Sequence, residues 1–308
     1  MKLNLDLKSL KEVLDAMNAK KVFIQLPDGL KIKSQEIDYA LKKFSPIFSL
    51  DPIYGACDLQ ENYHNLCGAD VTIHFGHNEF CKPSKKTIFW PCYYDITAPE
   101  LNDIKNKLIK KFKGKKIILT YSIQYKKIVD ELIKIKEIKF IKGNINKTIK
   151  EPGQILGCNA STIPFDEKLD AIVYLGDGYF HPSAIRESID VFRLFPFRNI
   201  EKINLNLQEK KRKDMLKYII KDKTNFGIFI TRKEGQKSLE NAYKVKELLE
   251  QNNKSVMLLW GDNLSNDKII GQGFEVIVNT ACPRIVDDYQ NYKPILIVNP
   301  KHIFSAFK

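Results

Sequence analysis

Six cysteines, at positions 57, 67, 81, 92, 158 and 282, are the residues of this sequence best suited to chemistry. Thiolates are soft ligands that select iron–sulfur clusters, zinc or copper(I). No two of the six are spaced as CxxC, which argues against a zinc ribbon. Cys282 closes the run VIVNTAC (276–282), a β-branched strand that Pro283 prevents from continuing in a full ladder. A single cysteine at such a place reads as a small buried hydrophobe. It reads differently if other cysteines occupy comparable places.

The elements that must position these thiols repeat three times. DVTIHFGH (70–77), DAIVYLGD (170–177) and EVIVNTAC (275–282) each open on an acid, run through apolar residues, and close on His77, Asp177 or Cys282. Upstream lie PIYGAC before Cys57, QILGC before Cys158 and LLWGD before Asp262, read here as second-strand ends; the separations to the acid are 13, 12 and 13 residues. Earlier still come KVFIQLPDG, KKIILTYS and FGIFITRKEG, the first and third followed by the helix-period segments KSQEIDYALKKF and SLENAYKVKELLE. TIFWPC, DVFRLFPF and PILIVNP close the units. Alternating strands and helices predict an α/β chain of three related domains, residues 1–97, 98–200 and 201–308, each a small, mostly parallel sheet flanked by helices. Their expected arrangement is pseudo-threefold around a central site.

In open α/β sheets ligands collect beyond the carboxyl ends of the strands. Cys57 and Cys158 stand at the second position of repeats one and two, and Cys282 at the third-strand end of repeat three. One thiol from each repeat predicts a shared metal centre. A cubane cluster usually takes four thiolates; three would leave one iron open to a substrate. Cys67, Cys81 and Cys92 do not recur and read as structural thiols.

The net charge of +13 invites a nucleic-acid reading. The lysines are spread over helix-period segments such as NDIKNKLIKKFKGKK, with no zinc finger or basic–aromatic tract, so direct nucleic-acid binding is not expected. A basic surface suits an acidic macromolecular partner. With 44% hydrophobic residues, no apolar run near ~20 residues and no signal-like N-terminus, the expectation is a cytoplasmic protein without a membrane span.

The strings YGACD (54–58), ILGCN (155–159), YLGDGYFHP (174–182) and NTACPRIVDD (279–288), with VFIQLPDGLK (22–31) and ADVTIHFGHNEF (69–80), resemble the archaeal diphthamide-synthesis enzymes, the 2-(3-amino-3-carboxypropyl)histidine synthases. The resemblance spans all three repeats. It implies a [4Fe–4S] cluster held by Cys57, Cys158 and Cys282, with S-adenosylmethionine (SAM) as co-substrate at the open iron. It further implies cleavage of the bond between sulfur and the methionine Cγ, and transfer of the 3-amino-3-carboxypropyl group to a histidine imidazole of translation elongation factor 2. An electron donor and a homodimer are implied as well. The CxxxCxxC pattern of ordinary radical SAM enzymes is absent.

Several other polar residues are candidates for SAM contact. Gln25, Asp28 and Gly29 follow the first strand, although Pro-Asp-Gly is also turn chemistry. His77 and Asp177 share the repeat position of Cys282, and each also suits a buried, hydrogen-bonded role. Arg284 suits a carboxylate, either that of SAM or a neighbouring acid such as Asp287. His181 precedes Pro182 as a helix-entry residue. No general base is evident. The competing readings are a quinolinate synthase-like cluster enzyme and a non-catalytic, cluster-carrying partner subunit.

Overall fold

The computed structural model describes residues 1–80, 84–185, 189–195, 199–203, 216–292 and 294–307. Cys81, residues 196–197 of DVFRLFPF and the start of the last Lys-rich segment lie outside them. The chain divides into two compact units, residues 1–204 and 205–308.

The first unit begins with β1 (Lys2–Asn4), α1 (Leu7–Ala16), β2 (Val22–Gln25), α2 (Ser34–Leu41), β3 (Ile47–Phe48), α3 (Tyr63–Leu66), β4 (Val71–Phe75), β5 (Thr87–Trp90) and β6 (Tyr93–Asp95). β3-β2-β4-β5 form a parallel sheet, and β6 pairs antiparallel with β1. It continues with α4 (Ala98–Phe112), β7 (Lys116–Tyr121), α5 (Lys126–Leu132), β8 (Lys139–Phe140), β9 (Ala171–Leu175), β10 (Val191–Leu194) and β11 (Glu201–Ile203). These strands are ordered β8-β7-β9-β10-β11, with β11 alone antiparallel. The second unit holds helical residues 216–222 (α6), β12 (Asn225–Thr231), α7 (Leu239–Gln251), β13 (Ser255–Gly261), α8 (Asn266–Ile269), β14 (Val276–Asn279), β15 (Leu296–Val298) and α9 (Pro300–Phe307). Its sheet, β13-β12-β14-β15, is wholly parallel.

One strand order thus recurs three times. The second strand lies outside the first, the third on the first strand's other side, and the fourth beyond it. Connections diverge between the first and third strands, which in open sheets is where the ligand crevice lies, at the carboxyl ends.

Alternation along the strands decides what faces that crevice. In the first sheet Val22, Ile24, Val71, Ile73 and Phe75 bury one face against Leu10 and Leu14 of α1 and Ile37 and Leu41 of α2. The opposite face therefore carries Phe23, Gln25, Thr72 and His74, all buried. Gln25 and His74 are register partners. In the second sheet Ile117, Leu119 and Tyr121 pack with Ile104 and Leu108 of α4 and Ile128 of α5. In the third, Phe226, Ile228 and Ile230 pack with Ala242 and Val245 of α7 and Ile303 of α9.

The acid that opens each third strand has one job in all three sheets. Asp70 accepts from the backbone N–H groups of Lys20 (2.7 Å) and Lys21 (2.8 Å). Asp170 accepts from Lys116 N (2.7 Å), and Glu275 from Thr224 N (2.8 Å) and Asn225 N (3.2 Å). Each carboxylate satisfies amides at the start of the first strand and ties it to the third.

The second strands differ from the sequence expectation. β13 does end at Gly261, but β3 ends at Phe48 and β8 at Phe140, well before Cys57 and Cys158. PIYGAC and QILGC are loops. Pro52 and Pro152 have no ladder donor, and Gly153 adopts a left-handed φ of 88° with its α-carbon against Leu119 O.

Candidate functional site

The two candidate ligand thiols of the first unit, Cys57 and Cys158, sit on tight turns beyond the carboxyl ends of their sheets. Asp58 N donates to Gly55 O at 2.9 Å, closing a turn with Ala56 and Cys57 at its centre. Ala56 and Asp58 are buried and Cys57 is half-buried. Leu156 and Asn159 exchange backbone hydrogen bonds of 2.9 and 3.1 Å, which makes Gly157 and Cys158 the two-residue tip of a hairpin-like turn. Cys158 is exposed. Glycine at 157 lets the Phe180 ring lie against the turn, where a methyl would overlap it. Phe180 meets His181 edge-on at 5.3 Å, and His181 stacks on Tyr174 at 6.2 Å.

In the second unit two buried carboxamides hold the Cys282 loop. Asn279 Nδ2 donates to Cys282 O (2.8 Å) and Asn299 Oδ1 (2.9 Å), and Asn279 Oδ1 accepts from Ala281 N (3.1 Å). Asn299 Nδ2 donates to Pro283 O at 2.8 Å. Burial pushes the Cys282 thiol up; the Arg284 N–H and the Arg284 and Lys233 charges pull it down, and Asp287 adds to the rise. A soft cation or an iron–sulfur cluster would displace that proton and relieve the burial cost of a thiolate.

Neither unit, among its described residues, gathers three cysteine, histidine or carboxylate side chains able to hold a metal alone. None of the five described cysteines is in a disulfide. Cys92 is wholly buried, and burial drives its thiol to about 11, as suits a core residue. Cys67 follows α3 and donates to His64 O at 3.5 Å.

Polar residues gather at the first switch point. Gln25 Nε2 donates to Gln60 O at 3.1 Å, and Gln25 Oε1 lies 3.0 Å from His74 Nδ1. His74 Nε2 lies 3.0 Å from His77 Nδ1. Burial, then His77, holds His74 well below the usual histidine range. Burial, then His181, takes His77 to about 4, against an opposing hydrogen bond to the Phe75 carbonyl. The second sheet's loops close over this corner: Gln124 Nε2 donates to Gly76 O at 2.8 Å, and the Asn78 and Gln154 amides bond reciprocally at 2.9 and 2.8 Å. Gly76 makes the approach possible, with φ at 79° and Pro27 and Leu30 packed against its α-carbon.

The other predicted residues are placed differently. Asp28 is exposed and pairs with Lys31 at 2.7 Å, and a side chain at Gly29 would meet open space, so these two stand on the rim as a turn. Asp177 is exposed and bonded by the Tyr125 hydroxyl; burial, then this carboxylate, pushes that phenol up. Arg284 pairs with Asp287 at 2.8 Å. Sequence reasoning missed His74, Gln60, Asn279 and Asn299. A period-2 reading of TIHF would have put His74 beside Gln25, away from the helix-covered face.

Residues 26–308 match the diphthamide synthesis protein family. The chain is 31% identical over 302 residues to a 2-(3-amino-3-carboxypropyl)histidine synthase of Methanocaldococcus jannaschii, covering 90% of this chain and 81% of that protein. It is also 31% identical over 301 residues to the enzyme of that name from Pyrococcus horikoshii, covering 94% and 86%. Two crystal structures of Dph2 from Pyrococcus horikoshii, one of them with a 4Fe-4S cluster, each superpose with a TM-score of 0.86 at 26% identity, over 99% of this chain and 91% of that one.

Proposed function

The chain belongs to the diphthamide synthesis protein family, and on that premise we propose that it is a 3-amino-3-carboxypropyl transferase acting at the first step towards diphthamide. SAM is the donor and an imidazole of translation elongation factor 2 the acceptor, with methylthioadenosine released. The observation that carries this reading is the repeated sheet order, with a thiol on the carboxyl-end loops of each of the three sheets.

The residues present fit a [4Fe–4S] cluster. Cys57 and Cys158 stand on turns that hold them half-buried and exposed, and Cys282 on a loop fixed by two carboxamides. These three would hold the cluster, with the repeats in the proposed pseudo-threefold arrangement. When bound, the cluster supplies the electron that cleaves the Cγ–S bond and an iron open to SAM.

The chain's own residues would orient and enclose. Arg284 and Lys233 bring positive charge to Cys282, where a thiolate-bound cluster or a SAM carboxylate adds negative charge. Asp28, Gly29 and Asp177 are the proposed wall for SAM. The buried faces of the sheets exclude water from a reactive fragment. The described residues include no helix long and apolar enough to cross a membrane. We place the protein in the cytoplasm, as a homodimer served by a separate electron donor.

The test is product analysis after anaerobic reconstitution with iron and sulfide and reduction with dithionite. Methylthioadenosine is expected. 5′-Deoxyadenosine in its place would mean cleavage of the other sulfonium bond and refute the assignment.

A further inference from the structure

The hydrogen positions along Gln60, Gln25, His74 and His77 are fixed by elimination. The Gln60 carbonyl can only accept, so it must face the amide nitrogen of Gln25. The opposite rotamer would set two oxygens against each other. Gln25 Oε1 then accepts from His74 Nδ1. His74 is wholly buried, and its ring is neutral. Its one hydrogen is spent on Gln25, so its Nε2 accepts, and the donor is His77 Nδ1. His77 is neutral too, and Nδ1–H is its single ring hydrogen. The Nε2 of His77 keeps its lone pair.

Both thiol loops of this unit reach the relay. Gln60 lies three residues beyond Cys57 and is held by Ser49 Oγ at 3.0 Å. His181, whose charge bears on His77, adjoins the Phe180 ring that covers the Cys158 turn. Asn78, the next residue, bonds Gln154 just ahead of that turn.

We propose that His77 is the proton acceptor of the transfer, and that Gln25 and His74 are positioning residues that hold its Nε2 ready. This rests on the transferase reading above. Once the 3-amino-3-carboxypropyl carbon has bonded to an imidazole carbon, that carbon still bears its hydrogen, and the ring holds one electron too many to be aromatic. Rearomatisation breaks the C–H bond: the electron passes to a one-electron oxidant, the oxidised iron–sulfur centre, and the proton to His77 Nε2, which returns it to solvent. A ring in that state is a strong carbon acid, so a weak base that is never protonated beforehand suffices. Gln25, in this account, acts through His74 and does not touch SAM.

The variant that separates roles is His77→Asn, whose amide N–H can still donate to His74. In the reconstituted, reduced protein with SAM and the acceptor protein, methylthioadenosine formation should stay within about twofold of wild type. Transfer should fall by at least ~100-fold, and a deuterium isotope effect should appear with acceptor labelled on the imidazole carbon. Equal loss of cleavage and transfer would make His77 a SAM or cluster contact and overturn the proposal, as would undiminished transfer. Independently of activity, nitrogen NMR of the chain without cluster should show His77 as the Nδ1–H tautomer at neutral pH in wild type and a mixture in Gln25→Leu; an Nε2–H tautomer in wild type overturns the relay. If wild type forms no methylthioadenosine, the transferase reading fails and takes this role with it, while the tautomer result still judges the geometry.

Discussion

Removing the charge at Glu275 should make part of the third sheet's stability independent of pH. Its carboxylate accepts from Thr224 N, Asn225 N and Thr224 Oγ1 and pairs with Lys223 Nζ at 3.2 Å. These bonds, that from Thr224 N foremost, lower its pKa from 4.5 to about 2. Unscreened, such a shift corresponds to ~3 kcal/mol. The side chain is 33% exposed, so solvent screening reduces this to ~1–1.5 kcal/mol. The folded chain resists protonation here more than the unfolded one. The contribution is therefore complete above about pH 4.5 and is lost as the pH falls through about 2, with more than half gone at pH 3. Glu275→Gln keeps an acceptor oxygen but no charge, so it should destabilise by ~1 kcal/mol at pH 7 and by less than half of that at pH 3. Hydrogen exchange of the β12 and β14 amides, corrected for the intrinsic rate at each pH, reads the difference within this unit. An equal effect at both pH values would refute the electrostatic argument and leave a purely geometric tie.

Three further outcomes follow from the thiol loops. Cys57→Ala, Cys158→Ala and Cys282→Ala should each lower iron and acid-labile sulfide after reconstitution, whereas Cys67→Ala should not; wild-type cluster content in all three would sink the ligand assignment. Gly157→Ala drives a methyl into Phe180, whose ring is 49% exposed and can swing away. It should cost less than the ~1–3 kcal/mol of buried overpacking yet reduce cluster content, and Phe180→Ala in the same chain should restore it; failure of that rescue would show that the turn does not depend on the ring. Asn279→Ala leaves Asn299 Oδ1 and Ala281 N without their partner and the Cys282 carbonyl with Ile285 N alone, and should lower the urea stability of the second unit by ~2 kcal/mol. An unchanged midpoint would mean that the loop holds its shape without the carboxamide.

The strands and helices were readable because their periods differ and because each unit repeats the same order of them. The repeated acids at 70, 170 and 275 were visible as a pattern, but their job was not. It depends on amides about 50 residues earlier in sequence, which only the pairing of β2 with β4, β7 with β9 and β12 with β14 brings within reach. The second strands were misplaced for a local reason. PIYGAC and QILGC carry the apolar residues of a strand, and only Pro52, Pro152 and the glycines signal a loop. The position of Gln25 was legible but its partner was not. His74 sits in an apolar run whose alternate residues face the helices, and nothing but the two-residue period sets it apart from Ile73 and Phe75.

That same period explains why a polar relay can exist in such a strand at all. A sheet covered on one face by α1 and α2 has already buried the apolar area that stabilises it. Its second face can then hold Gln25, Thr72 and His74, provided each polar atom finds a partner. In a relay of neutral amide and imidazole groups, satisfying each acceptor commits the next donor, so one backbone carbonyl at Gln60 determines the tautomer of a ring two side chains away. A charged group in that place would have needed a buried counter-ion. The neutral chain needs only alignment, which the parallel register of Gln25 with His74 supplies. It follows that the register of β2 against β4, a property of the fold, sets the protonation pattern at the crevice. A substitution that slips this pairing should scramble the His77 tautomer without touching either histidine.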